Sequence, residues 1–223
     1  MQSLDPKKYG LALHTTSPQL GLALSNFAGD NRSSTWDLGR DLSTHLHQYL
    51  AKFLRPQTWA DLAFIAVAKG PGSFTGTRIG VVTARILAQQ LDIPLFAIST
   101  LAAVAWSHPA QPPRTPGGLS EERVIALQMP AQRGQLYTAI YQASPEGSGL
   151  TPLLPDAVMN PATWKEALEA LEIPYQLLDV SADLGTHVTS VLELAYLNWQ
   201  KGKRLHWSEA LPFYGQHPVE EAS

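Results

Sequence analysis

Apolar and polar positions recur along this chain with two different periods. Leu11-Ala12-Leu13 and Leu20 to Leu24 are short apolar runs suited to buried strands, separated by the turn-rich His14-Thr15-Thr16-Ser17-Pro18. Ala28-Gly29-Asp30-Asn31 reads as a hairpin turn and Ser33 to Asp37 as a returning strand. Over residues 41–54 the period changes. Leu42, Leu46, Tyr49, Leu50, Phe53 and Leu54 recur at three and four, which makes one apolar helix face, with Asp41 as N-cap and Pro56 as the stop. Leu62 to Ala68 is a continuous apolar run of strand length, as expected where both faces are covered.

A glycine-rich turn over residues 69–76 then leads into a helix over 77–91. Leu95 to Ile98 reads as a strand, and Ser99-Thr100 as the cap of a helix through about Trp106. Beyond a proline-rich stretch, Arg123 to Gln128, Gln135 to Tyr141 and Tyr175 to Leu178 read as strands. Pro161 to Leu171 and Thr186 to Gln200 read as helices. A meander followed by strand–helix units predicts a mixed five-stranded sheet flanked by helices. The expected organisation is a first lobe over residues 1–107, on which a helix at about 186–201 packs back. A linker follows at 108–118, then a smaller second lobe at 119–185 and a polar, loosely held tail at 212–223.

Composition narrows the function classes. The 223 residues are long enough to bury a core unaided. Charged residues make up only 16%, against about 25% in typical soluble proteins, so part of the surface is unusually uncharged, as an interface would be. A net charge of -3 gives no general pull toward nucleic acid. The absence of cysteine excludes disulfides, thiolate metal sites and a cysteine nucleophile. With no signal core and no apolar run long enough to span a bilayer, a cytoplasmic location is expected.

Gly70-Pro-Gly72-Ser-Phe-Thr-Gly76 is the most distinctive segment, and three common readings fail on spacing. The third glycine falls one residue late for a dinucleotide fingerprint. The Gly70–Gly76 interval is one residue too long for a P-loop, and Thr77-Arg78 stands in place of Lys-Ser. Pro71 and Thr75 flank Ser73 where a nucleophile elbow needs glycines. Two readings stay open: an anion held on a helix N-terminus, or glycines that let strand and helix pack closely.

The helix that follows carries few long polar side chains, namely Arg78, Arg85, Gln89 and Gln90. It needs cover on more than one side, either within its own domain or from a partner subunit. Of the seven histidines, His45 and His47 are two apart and cannot chelate one ion from a helix. His14, at the end of the first strand, is in a place where catalytic acids often occur. Asp61 and Asp92 read as solvated ends or caps. No Ser/His/Asp or paired-carboxylate set is assignable.

Leu62-Ala-Phe-Ile-Ala-Val-Ala-Lys-Gly-Pro-Gly-Ser-Phe-Thr-Gly-Thr-Arg-Ile-Gly80, continued by Ala84, Pro94 and Ser99-Thr100-Leu101, closely resembles the TsaB (YeaZ) family. Weaker likenesses are Leu11 to Ser17, Arg133-Gly-Gln-Leu-Tyr137 and Ala210-Leu-Pro-Phe-Tyr214. The resemblance implies an α/β, actin-like ATPase (ribonuclease H-like) fold with a reduced second lobe. It also implies a non-catalytic accessory subunit that activates a TsaD-type threonylcarbamoyltransferase, which modifies the adenosine next to the tRNA anticodon. A TsaE-type ATPase joins the pair. No cofactor is expected in the isolated chain, with ATP or ADP only at partner interfaces, and tRNA is met only through the complex.

Pairing in the family runs through first-lobe helices. Carried over by position, this assigns Leu46, Leu50, Ile79, Val82 and Ile86 to a partner or homodimer face, with Arg78 and Arg85 at its rim. The chain departs from the family pattern at His14 in place of Asp, at Leu42-Ser43-Thr44 and at Pro130. An Asp at the first position helps nucleotide-using relatives hold metal and phosphate, and a neutral imidazole does not replace its charge. The competing reading is a small phosphotransferase or hydrolase of the same fold acting alone in the cleft.

Overall fold

The computed structural model describes residues 2–108, 123–144 and 147–215. The chain opens with the predicted meander: β1 (Tyr9–His14), β2 (Gln19–Ser25) and β3 (Asn31–Asp37), all antiparallel neighbours. Helix α1 (Leu42–Leu54) follows, then β4 (Leu62–Ala68), α2 (Phe74–Leu91), β5 (Leu95–Ile98) and α3 (Thr100–Ser107). β4 pairs parallel to β1 and β5 parallel to β4, which gives a five-stranded sheet of order β3-β2-β1-β4-β5. The continuous apolar run of β4 is explained by its place inside the sheet, where Phe64, Ile65, Ala66, Val67 and Ala68 are all buried.

The second sheet holds β6 (Arg123–Pro130), β7 (Leu136–Ala143), β8 (Leu150–Met159) and β9 (Tyr175–Asp179), in the order β8-β7-β6-β9. Helix α4 (Pro161–Glu169) lies between β8 and β9 in the chain. Its side chain Trp164 packs with Val124, Ala126 and Ile140 on one face of this sheet. The other face shares a core with the first lobe. Ile125, Leu127 and Tyr141 join Phe64 and Phe96, residues of α3, and Val188, Val191 and Leu192 of α5 (Val188–Gln200). Helix α5, although last in the chain, packs on β1, β2 and β4.

Several boundaries differ from the sequence reading for local reasons. α2 begins at Phe74, because the Ser73 side chain already accepts the Gly76 amide hydrogen and caps the helix there. Asp41 sits at the N-cap position of α1 but makes no side-chain capping bond. β8 was not expected, since Pro152 and Pro155 interrupt its pattern; as an edge strand it tolerates them. Most of the proline-rich stretch at 108–118 lies outside the described residues, as does 216–223 of the tail. The described start of that tail is not loose: the Phe213 amide donates to the Lys69 carbonyl at 2.7 Å.

Candidate functional site

Two places concentrate the features singled out in the sequence: the cleft at the ends of β1 and β4, and the outer face of α2. In the cleft, the glycine turn is pressed against the loop that follows β1. The Ser73 amide donates to Thr16 O at 2.7 Å, and the Thr15 hydroxyl donates to Gly76 O at 2.8 Å. A β-carbon on Gly72 would overlap Thr16, and one on Gly76 or Gly80 would overlap Thr15. These glycines therefore serve close approach of two backbone segments, the second of the two readings left open above. Gly70 O is taken up by the Thr100 amide at 2.8 Å.

His14 lies at the floor of this loop, fully buried. It has a long 3.5 Å contact with Thr16 and no partner for Nε2. Burial above all, with a smaller contribution from nearby His187, lowers its pKa to about 3. The ring is neutral at physiological pH. The aspartate that the resemblance leads one to expect here, to help hold metal and phosphate, is replaced by this uncharged ring. A neutral, enclosed imidazole stands at that position, and the Ser73 hydroxyl at the head of α2 is taken by the Gly76 amide. Among the described residues no cluster of His, Asp and Glu could hold a metal ion.

Across the cleft is a polar cluster that sequence reasoning missed. The Tyr141 hydroxyl donates to Asp156 Oδ1 at 2.7 Å, and the Ser99 side chain at the start of α3 adjoins both. Burial pushes the Asp156 carboxyl up, while the bonds from Ser99 and Tyr141 and the charge of Lys69 oppose that shift. The cluster joins the second-lobe strands β7 and β8 to the first lobe. Its members are too far apart in the chain, and too ordinary in type, to form a motif.

The face of α2 divides the residues assigned to partner contact. Val82 and Ile86 are exposed at 46% and 54%, while Gly80, Val81, Thr83 and Ala84 on the other side are buried. Ile79 is partly covered by the first-lobe core. The rim arginines rest on aromatic rings of their own chain, Arg78 over Phe74 at 5.1 Å and Arg85 over Trp207 at 5.8 Å. Leu46 and Leu50 do not belong to this face. At 0% and 2% exposure they pack against β-sheet residues of their own lobe, and α1 turns Thr44, His45, Gln48 and Lys52 outward instead. The large apolar side chains of α1 are thus spent on the core, and of these two helices it is α2 that turns such side chains outward.

The model of the family described as TsaD, tRNA N6-adenosine threonylcarbamoyltransferase, matches residues 40–185. The tRNA threonylcarbamoyladenosine biosynthesis protein TsaB of Bacillus subtilis is 39% identical over 118 residues, 53% of this chain and 46% of that protein. TsaB of Escherichia coli is 37% identical over 87 residues, 39% of this chain and 34% of that protein. The matched stretches therefore span less than half of these relatives. YeaZ from Pseudomonas aeruginosa superposes with a TM-score of 0.72 at 24% identity, covering 93% of this chain and 99% of that one. Its likeness extends the fold assignment over nearly the whole chain, and the two sheets with their flanking helices form an actin-like ATPase fold. With the glycine turn, the paired lobes and these relatives taken together, the chain belongs to the TsaB (YeaZ) family, within the wider family that the TsaD model describes.

Proposed function

We propose that this chain is a non-catalytic accessory subunit in tRNA threonylcarbamoyladenosine formation, docking on and activating a TsaD-type transferase. The observation that carries the reading is the outer face of α2. Val82 and Ile86 are about half exposed on a helix whose other apolar residues are buried in, or partly covered by, its own lobe. Two adjacent apolar side chains one turn apart, flanked by Arg78 and Arg85, suit a helix of a partner with a similar fold. The same face serves self-association when the partner is absent. A TsaE-type ATPase joins the pair, and tRNA is reached through the transferase.

The non-catalytic part of the reading is supported by the cleft. The glycine turn bonds to the chain itself, and the one histidine at the floor is sealed and neutral. Any ATP or ADP belongs to a site completed by a partner, and the setting is the cytoplasm. No helix among the described residues is long and apolar enough to cross a membrane.

The test is threonylcarbamoyl transfer to tRNA by the TsaD-type enzyme of the same organism with its ATPase, with and without this chain. Light scattering on the same samples follows complex formation. Activity that depends on the chain, together with a mixed complex, supports the reading. A mixture that neither associates nor changes rate overturns it.

A further inference from the structure

The segment after α5 takes an unusual path, and each step of it is held. The Leu95 amide on the edge strand β5 donates to Leu205 O at 3.3 Å. A single turn at Trp207–Glu209 follows, closed by reciprocal bonds between His206 and Glu209, and Trp207 lies beneath Arg85 of α2. Ala210 is buried. The Phe213 amide then bonds Lys69 O at 2.7 Å, at the very start of the glycine turn. Gly70, with φ of +103°, has no room for a β-carbon because Phe213 O occupies the space. The Tyr214 ring packs on Phe74, the first residue of α2, with centroids 4.4 Å apart. Tyr137 of β7 donates its hydroxyl to Tyr214 O at 3.2 Å. Gly215, with φ of +66°, lies so close to Val158 of β8 that a β-carbon would collide with it.

A free tail shows none of this. The segment touches the first-lobe sheet edge, the glycine turn, the first turn of α2 and two strands of the second lobe. Two left-handed glycines, Gly70 and Gly215, are shaped to its passage. We propose that residues 205–215 form a strap that braces the glycine turn and the first turn of α2 against the second lobe, so that releasing the strap loosens the base of the helix that carries Val82 and Ile86. The link to docking rests on the partner reading above; the brace itself does not. Through the strap, the position of the second lobe is felt at the partner face without any ligand in the cleft.

The test uses the full chain with Tyr214→Ala and, separately, Gly215→Ala. Tyr137→Phe serves as a milder variant that removes only the hydroxyl bond. Amide hydrogen exchange is read at Ser73, Thr77 and Thr100, whose bonds lie in the glycine turn, in the first turn of α2 and on Gly70 O, next to the strap contacts at Lys69, Gly70 and Phe74, with the central strand amides of β4 as the internal reference for intact folding. The brace predicts exchange about five- to tenfold faster at the three reporters, as expected for losing one or two hydrogen bonds, with β4 unchanged. Unchanged exchange at the reporters in both strap variants overturns the proposal. Docking on the TsaD-type subunit is then measured with the same proteins and with Val82→Glu/Ile86→Glu. Weaker docking by the strap variants supports the coupling. Normal docking by them, while Val82→Glu/Ile86→Glu fails to dock, overturns the coupling. Normal docking by Val82→Glu/Ile86→Glu overturns the α2 face reading instead and leaves the brace to be judged on exchange.

Discussion

The hydroxyl of Thr15 occupies the space in which a side chain at Gly80 would begin, and from there it donates to Gly76 O at 2.8 Å. One short side chain thus sets the distance between the loop after β1 and the second turn of α2. Gly80→Ala forces these segments apart. The expected cost is about 1–3 kcal/mol of stability, the usual range for overpacking a filled interior, despite the better helix propensity of alanine. Urea unfolding of the two proteins checks it; an unchanged or higher midpoint would show that Thr15 can move aside.

Leucines of α1 and apolar residues of α2 should behave in opposite ways. Leu46→Ala removes a fully buried side chain and is expected to destabilise the fold by about 2–5 kcal/mol. Val82→Glu and Ile86→Glu are expected to change stability by no more than about 0.5 kcal/mol, as substitutions in solvent do, while weakening association at least about tenfold. Thermal melting and sedimentation on the same variants separate the two effects.

His14 makes the fold sensitive to mild acid. Its folded pKa of about 3 lies below the unfolded value of 6.5, so below pH 6.5 the unfolded chain takes up a proton that the folded chain refuses. The stability contributed by the neutral ring is therefore complete above pH 6.5 and falls as pH drops toward 3. Between pH 6.5 and 5 the expected loss is about 2 kcal/mol from this residue. His187, half-buried and shifted downward by burial, adds in the same direction. Urea midpoints at pH 7 and pH 5 for the wild type and His14→Asn test this: the variant should lose less between the two pH values, and equal losses would remove His14 as the cause.

Arg32 closes the end of α1. From β3 its guanidinium donates to the carbonyls of Phe53, Leu54 and Arg55 and to the Gln57 side chain. These are the carbonyls a helix terminus leaves open, and a cation is favoured there. Arg32→Ala is expected to cost about 1.5–3 kcal/mol. Arg32→Lys should recover only part of this, because a single ammonium cannot reach the fan of acceptors that the planar fork spans. Chemical denaturation of the three proteins decides it.

Much of the first lobe was legible because its elements are bounded by strong local signals. Leu62–Ala68 and Leu95–Ile98 appear with the boundaries read from the apolar runs, since buried strands leave no ambiguity of face. What was lost depends on relations between distant residues. Periodicity identified Leu46 and Leu50 as one face of α1 but is silent on what covers that face, and the covering is the chain's own sheet. β8 was hidden by prolines that only an edge position permits. The Ser99–Tyr141–Asp156 cluster unites residues from three elements and two lobes, with no spacing that a linear reading could catch. Phe213 and Tyr214 read as part of a polar tail because of the Gln, His and Glu residues that follow them; their contacts reveal a different role.

The return of α5 to the first sheet sets an order on how the protein can be made. Val188, Val191 and Leu192 fill the same core as Phe64 and Phe96, so β1, β2 and β4 lack this cover until the second lobe has been made and α5 has emerged. A ribosome releasing this protein therefore exposes an apolar sheet face throughout the synthesis of the second lobe. The first lobe is thus completed only after the second has been made, and cutting the chain between them would leave that sheet face bare.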